Sequence, residues 1–585
     1  MEIGEWKLEN LRKFIIHHSK FAIPLALLCS LALTMGALAA SGPDGQVARV
    51  TFKSRAELAQ LAARLDIWEI DHEAGALVAY VNTSERQWLT VNGFDFTPLP
   101  AKMAHPETIP GFPCYRTIAE NDAQIDAWAE EHPHLTEVIT IGHSYEGRPL
   151  RVLRLSNRAT DADTIRVGPK PVFFLMANIH GRELITNEAA LVFVERLLAA
   201  YRLDPDVTWL LDEHALYVMV SANPDGHIKN EPGQPWSYWR KNTNPENDDC
   251  NGSNYGIDLN RNSSYNWGGV GASNNPCALT YRGPEAASEV ETQALQDFMQ
   301  VIFEDQRGPE REDTAPDDTT GVFISLHSYG NLVLWPWGDT YDPAPNAAQL
   351  RQLGNKFAAF NSYTAQQASD LYPTTGATDD WSYGELGIAS YTFEIGTDHD
   401  GFYPGCHRYD ALIEPNLPAF LYAAKVARAP YQLPFGPSVS DITVPTATIQ
   451  IGEQVHVRAL VDDGDNGGQS IAAAEAYVGA PPWRAGEPLT LTAQDGAFDS
   501  VTEEVVGVID TSDLEAGRYL LFARGQDADG AWGPVTATYL DVEPLNVPQP
   551  MHELWIPLIV RRNGMPTSQH TNPRQGVSQN GIPTS

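Results

Sequence analysis

The spacing of apolar positions changes along the chain, and each change marks a unit. From Val47 to Phe96 the pattern is mixed. Ala48–Phe52 reads as a strand, Ser54 as the cap of a helix through Leu65, and Trp68–Ile70 and Leu77–Val81 as alternating strands. Ser84 to Leu89 begins a second helix, giving a small α+β unit. In the middle of the chain three apolar runs each end in a polar group. Pro171–Asn178 is a buried strand running into a loop, Gly321–Leu326 stops at His327, and Ala389–Phe393 stops at Glu394. Continuous apolar runs of this length suit strands buried on both faces, so this part is α/β. From Thr443 to Val542 short alternating strands such as Val455–Leu460 and Tyr519–Arg524 are separated by turns such as Asp463-Gly464-Asp465 and Asp529-Gly530. That texture predicts an immunoglobulin-like β-sandwich serving as a spacer or a binding module. Asp462, Asp463 and Asp465 read as a solvated acidic turn, with calcium binding as the alternative.

The two ends differ from the rest. Lys7, Arg12, Lys13 and Lys20 precede an apolar run from Phe21 to Ala40, and Ala37-Leu38-Ala39 fits a cleavage site. This is the layout of a secretory signal. A retained membrane anchor is the alternative, but Pro24, Ser30, Thr34 and Gly36 soften the helix. Leu28 before Cys29 argues against a lipoprotein site. The tail from Leu545 is rich in Pro, Asn, Gln and Ser and is expected to be disordered. Within it Trp555–Val560 followed by Arg561 and Arg562 suggests a surface-sorting or docking element.

Charge and cysteine usage narrow the setting. With 75 acidic and 39 basic residues the net charge is −36, which disfavours nucleic acid and anionic membranes as partners. Cys29 leaves with the signal; Cys114, Cys250, Cys277 and Cys406 remain, and an exported chain permits bridges among them.

Candidate chemistry lies at the strand ends. His180 and Glu183 are close enough in sequence to reach one ion from a single turn of chain, and His327 supplies a third donor. Catalytic zinc takes three such ligands and keeps a fourth position for water. Each segment alone has a bland reading, a chance H-x-x-E or a core histidine; three strand ends together point to one site of the kind found at the carboxyl edge of open α/β sheets.

From about Tyr115 to about Pro430 the chain resembles the metallocarboxypeptidases of the carboxypeptidase A type. Besides His180-Gly181-Arg182-Glu183 and Asp258–Asn262, it carries Asn223-Pro224-Asp225-Gly226, Trp239-Arg240-Lys241-Asn242, Tyr281-Arg282-Gly283-Pro284, Ser288-Glu289-Val290-Glu291 and Asp380-Trp381-Ser382-Tyr383 in family order. The resemblance implies a mixed eight-stranded sheet with helices on both faces, one Zn2+ held by His180, Glu183 and His327, and Glu394 as general base. It implies that Asp258 holds the His180 ring, with a simple turn role as the alternative. Asn260 and Arg261 would grip the terminal carboxylate of a peptide, Tyr372 would close over it, and Arg182 would meet the substrate one residue further in. Asp379 occupies the position at the base of the side-chain pocket, where an acid favours C-terminal Lys or Arg; local pairing is the alternative. In the family's pattern an oxyanion-binding arginine follows Trp-Arg-Lys two residues later. Here that position is Thr243, so either the activity is weakened or Arg240 takes the role. The resemblance also implies a Cys250–Cys277 bridge, leaving Cys114–Cys406, with other connectivities and free thiols open.

The expected organisation is a signal over 1–40, a prodomain-like unit and linker over 41–111, the catalytic domain over 112–430, the sandwich over 431–544 and the tail over 545–585. The N-terminal unit would cover the cleft until an activating protease cuts the linker near Thr97 to Gly111, or would be a permanent module. The function expected is a secreted carboxypeptidase, free or attached to the cell surface, acting on peptide or protein C-termini. A cell-wall peptide-trimming enzyme and a non-enzymatic surface binding protein are the alternatives.

Overall fold

The computed structural model describes residues 45–99, 113–163, 169–231, 238–245, 250, 254–444 and 449–544. The signal segment, most of the linker and the tail, including Trp555–Arg562, lie outside the described residues. No helix among those described is long and apolar enough to cross a membrane.

In the N-terminal unit, β1 (Gly45–Thr51), β2 (Asp66–Asp71), β3 (Ala76–Asn82) and β4 (Phe96–Pro98) form a sheet in the order β2-β3-β1-β4. Leu77, Ala79 and Val81 alternate onto one face. There they meet Leu58 and Leu61 of the helix Arg55–Ala62 and Leu89 of the helix Thr83–Val91. Ser54 caps the first helix, accepting from Glu57 N at 3.2 Å. That helix ends at Ala62, short of the expected Leu65, because Leu65 turns into the core and Asp66 opens β2.

The central sheet has eight strands: β5 (Thr136–His143), β6 (Pro149–Leu155), β7 (Val172–Ala177), β8 (Ala215–Met219), β9 (Val322–His327), β10 (Leu332–Trp335), β11 (Thr364–Gln367) and β12 (Ala389–Glu394). Their order is β11-β10-β12-β9-β7-β8-β6-β5. The inner strands β12, β9, β7 and β8 are parallel, and antiparallel pairings of β10 and β6 flank them. The sheet is therefore mixed, as the resemblance implied. Strand β7 explains the continuous apolar run. Phe173 and Leu175 pack on one face with the helices Leu184–Ala200 and Leu417–Val426. Phe174 and Met176 pack on the other with the helices Val290–Ile302 and Thr378–Leu386. Each such buried side chain stabilises the domain by roughly 1.5–3 kcal/mol. Disulfides join Cys114 to Cys406 and Cys250 to Cys277.

The C-terminal unit contains β13 (Ser438–Thr443), β14 (Ile449–Gln450), β15 (Gln454–Asp462), β16 (Ile471–Val478), β17 (Leu489–Ala493), β18 (Thr502–Asp510), β19 (Gly517–Asp527) and β20 (Thr536–Glu543). Strand β17 pairs with β16 through Leu489–Leu491 and with β18 through Thr492 and Ala493, so it joins the two layers. Val457, Val461, Ala474, Leu521 and Leu540 fill the space between them. The acidic turn is not wholly solvated: Asp463 is buried and accepts from Gln469 N at 2.7 Å.

This unit packs tightly on the catalytic domain. Tyr477, Phe522, Val535 and Ala537 belong to the same core as Phe193 and Phe420. Thr208 and Tyr539 share a 2.7 Å hydrogen bond between hydroxyls, and Lys356 donates to Asn466 Oδ1 at 2.9 Å.

Candidate metal centre and cleft

Because β12, β9 and β7 are parallel neighbours, their carboxyl ends share one edge of the sheet. His327 and Glu394 are register partners at the ends of β9 and β12. Beyond β7 the chain turns at Asn178, whose φ of 56° is left-handed, and its side chain donates to His180 O at 3.0 Å. Gly181 then passes so close to Gly226 that a Cβ would lie 2.2 Å from the Gly226 carbonyl carbon. Only glycine allows that approach, and it aims His180 and Glu183 at the strand ends.

There the donors converge. His180, Glu183 and His327 have ligand atoms all within 4.8 Å of one another, the one such group of three among the described residues. His180 Nδ1 lies 2.8 Å from Glu183 Oε1 and 3.2 Å from His327 Nδ1. His327 Nδ1 is 3.1 Å from Glu183 Oε2, a buried oxygen that takes no hydrogen bond. His180 Nε2 is 3.1 Å from Asp258 Oδ1. Donation of that N–H to the carboxylate leaves the Nδ1 lone pair facing inward. Two inward ring nitrogens and a buried carboxylate oxygen without a hydrogen bond are the donor set that zinc takes, so the residues fit the metal.

Around the cluster the charges are arranged by burial. Asp258 accepts from Arg240 Nε at 3.0 Å and Nη2 at 2.8 Å, and Arg240 Nη1 lies 3.3 Å from His180 Nδ1. Burial alone would raise the Asp258 carboxyl; Arg240 and His180 outweigh it and hold the group well below the usual range. Asp258 also accepts from Asn260 N at 3.1 Å, so the turn reading and the ring-holding reading coexist in one side chain. Glu394 makes no close ion pair among the described residues, and its carboxyl is pushed up to about 7 by burial, against the pull of His327.

Thr243 lies elsewhere. Its hydroxyl donates to Asp225 Oδ2 at 3.4 Å, and it does not line the cleft, whereas Arg240 does. The backbone between Trp239 and Thr243 turns Arg240, not residue 243, toward the cluster.

Asn260, Arg261 and Tyr372 line the same cleft of about 640 Å3. Asn260 Nδ2 is 3.4 Å from His327 Nε2, and its Oδ1 accepts from Thr378 N. Arg261 is held by two neutral acceptors, Gly271 O at 3.0 Å and Asn260 O at 2.7 Å; no carboxylate among the described residues pairs with it. Asp379 does not line the cleft surface. It is buried, accepts from Thr392 Oγ1 at 3.2 Å and from Asp380 N at 3.0 Å, and burial pushes its carboxyl up.

Arg182 is the residue whose partner the sequence did not suggest. It donates to Asp66 of β2 through Nη1 at 2.7 Å and Nη2 at 2.9 Å, and lies 4.0 Å over the Phe402 ring. Trp68 packs edge-on to Phe402 at 5.3 Å, and Tyr329 donates to Glu69 Oε1 at 3.1 Å. Tyr372 packs against the N-terminal unit's core. The missed residues are thus Asp66, Trp68, Glu69, Tyr329 and Phe402. The alternation of β2 was visible; that this strand faces the cleft was not.

A family model described as zinc carboxypeptidase matches residues 122–417, about half of the chain. Carboxypeptidase A1 of Rattus norvegicus is 32% identical over 291 residues, covering 48% of this chain and 62% of the relative. Zinc carboxypeptidase A 1 of Anopheles gambiae is 32% identical over 302 residues, covering 49% and 61%. The chain thus spans about three fifths of the length of the curated relatives it matches. Among solved structures, carboxypeptidase A from Helicoverpa armigera aligns with TM-score 0.52 at 23% identity, over 66% of this chain and 98% of that one. At that identity the likeness speaks for the fold. With the matched span enclosing the converging donors and both flanking arginines, the chain belongs to the zinc carboxypeptidase family.

Proposed function

We propose that this chain is a zinc-dependent exopeptidase that hydrolyses the C-terminal peptide bond of peptides or proteins and favours C-terminal Lys or Arg. The observation that carries the reading is one cleft holding a three-donor cluster, a carboxylate and an arginine whose charge no acid among the described residues answers. Zinc, when bound, polarises the scissile carbonyl and lowers the pKa of water toward ~7. Every other part falls to the chain. Arg261 takes the terminal carboxylate in its planar fork, which restricts the enzyme to chain ends, and Tyr372 closes over it. Glu394 takes a proton from the attacking water and passes it to the leaving nitrogen. A carboxyl raised by burial suits both halves of that transfer. Arg240 donates to the carbonyl oxygen as charge develops there. Asp258 keeps the His180 ring in the ligating tautomer.

Asp379, although buried behind the cleft surface, carries the preference for basic residues. A buried carboxylate without a cation is costly, and a Lys or Arg side chain entering the pocket would be its partner. In the intact chain the N-terminal unit holds the cleft shut through Asp66, until an activating protease cuts the linker. Two disulfides suit secretion into an oxidising space.

The test is hydrolysis of matched peptides ending in Arg, Lys, Phe or Asp by the linker-cut protein, with zinc and with a chelator. Chelator-sensitive release of Arg and Lys, weakened in Asp379→Ala, is expected. Release of Phe alone would overturn the Asp379 assignment and leave the exopeptidase standing. No release from any peptide with zinc bound would overturn the enzymatic reading.

A further inference from the structure

Where the sandwich meets the catalytic domain, four cations gather and three carboxylates answer them. Lys425 donates to Asp206 at 2.6 Å, Arg484 to Glu213 at 2.7 Å and Arg524 to Glu475 at 2.9 Å. Arg428 is the fourth. Its guanidinium lies 4.5 Å over the Trp483 ring and has no hydrogen-bond acceptor or ion-pair partner among the described residues. Its Nε is buried without one. Glu213 is near enough to attract it but is taken by Arg484 and by the Trp483 indole at 3.2 Å. Burial draws the Arg428 pKa down to about 10, as expected of a desolvated charge that its surroundings compensate only in part. Arg428 as a whole is half-buried, its Nε being the buried part; charges withdrawn from water are normally paired.

Arg428 faces a cavity of about 340 Å3, lined also by Lys425, Arg524, Trp483, Leu433 and Val535. No carboxylate lines it, in a chain of net charge −36. It shares no residue with the catalytic cleft. Its volume falls in the range of small-molecule sites, which combine apolar walls with a few placed polar groups.

We propose that this cavity binds a small organic monocarboxylate, with the carboxylate on Arg428 and the apolar body against Trp483 and Leu433. One unanswered guanidinium calls for one negative charge, and its planar fork matches a carboxylate in two parallel hydrogen bonds. Inorganic phosphate would bring a second charge with no cation left to meet it, and would leave the apolar wall uncovered. Because the walls come from both domains, the occupant would also stiffen their junction.

Phenylacetate titrated calorimetrically into the full chain tests this, with phenylacetamide and inorganic phosphate as controls. Arg261→Gln serves as the background, because it removes the cleft's own carboxylate anchor. Phenylacetate should bind that background and raise its Tm, and neither control should. Arg428→Gln should weaken binding by about tenfold or more, the usual loss for a charge-assisted bond. Ala429→Phe fills the cavity and leaves Arg428 in place; it should weaken binding as much, and it decides the case if Arg428→Gln does not fold. Undiminished binding in these variants, binding of phosphate alone, or no binding to the Arg261→Gln background would each overturn the proposal.

Discussion

Replacing Asp66 by Ala should open the cleft of the intact chain. The Asp66 and Arg182 side chains are each only 2% exposed, joined by hydrogen bonds of 2.7 and 2.9 Å. Asp66 also takes the Trp68 indole at 2.7 Å and lies 3.9 Å from Arg240. When the N-terminal unit lifts away, both charges return to water. The substitution therefore acts almost entirely on the closed state, where Arg182 stays buried against Phe402 with no anion. Removing one partner of a buried pair costs about 3–5 kcal/mol. That is a rise of about 10²–10⁴-fold in the ratio of open to closed chain. The assay is peptide hydrolysis by the uncut protein, with the linker-cut protein as the fully open reference. The uncut variant should gain activity toward that reference, and after cutting the variant and parent should match. If the uncut variant is as silent as its parent and melts at the same temperature, Asp66 does not hold the unit. The aromatic contacts of Trp68 and the Tyr329–Glu69 bond would then be the lock.

Acid should loosen the same contact. Burial alone would raise the Asp66 carboxyl, but Arg182 and Arg240 outweigh it and hold it below its ordinary value. A depressed closed-state pKa means its contribution to closure is complete above the free carboxyl's ~3.9 and fades as pH falls through the lower, closed-state value. Hydrogen-exchange protection of β2 should therefore drop only below about pH 4, and loss near pH 6 would contradict the assignment. Asp258→Ala should weaken zinc binding by about 10–100-fold in competition with a chelator; an unchanged affinity would remove Asp258 from the metal's support. Ending the chain after Tyr431 should lower Tm sharply, since Tyr477 and Phe522 each contribute roughly 1.5–3 kcal/mol to the shared core. A truncated protein that melts with the parent would mean the sandwich is an independent module.

The site was legible where it is local in sequence. His180, His327 and Glu394 each follow an apolar run, because parallel strands are buried on both faces and expose polar groups only at their ends. The relation between His327 and Glu394 was implicit in two such runs and became a register pair once β9 and β12 lay side by side. At position 243 motif spacing does not give orientation. Lys241 points inward to the Pro276 and Ala278 carbonyls, Arg240 to Asp258, and Thr243 to Asp225. Only the folded turn decides which of them faces the cluster. The docking of the sandwich was not legible at all. Thr208, Lys356, Lys425 and Trp483 are single residues on separate elements, and an interface built that way leaves no period in the sequence.

The distribution of carboxylates over the cleft's arginines shows where the acidic strand β2 meets the site. Arg240 has a permanent partner in Asp258, bound through two nitrogens, and borrows Asp66 only at 3.9 Å. Arg261 is held in place by carbonyl oxygens alone, so its position is fixed while its charge is left for a substrate. Arg182 is the one that Asp66 answers, through Nη1 and Nη2, while its buried Nε has no partner among the described residues. Strand β2 instead meets the cleft at Arg182, through the Asp66 side chain. Under the proposed inhibitory role, contact there leaves Arg261 and the metal donors formed, and removal of the unit would open the site without rebuilding it.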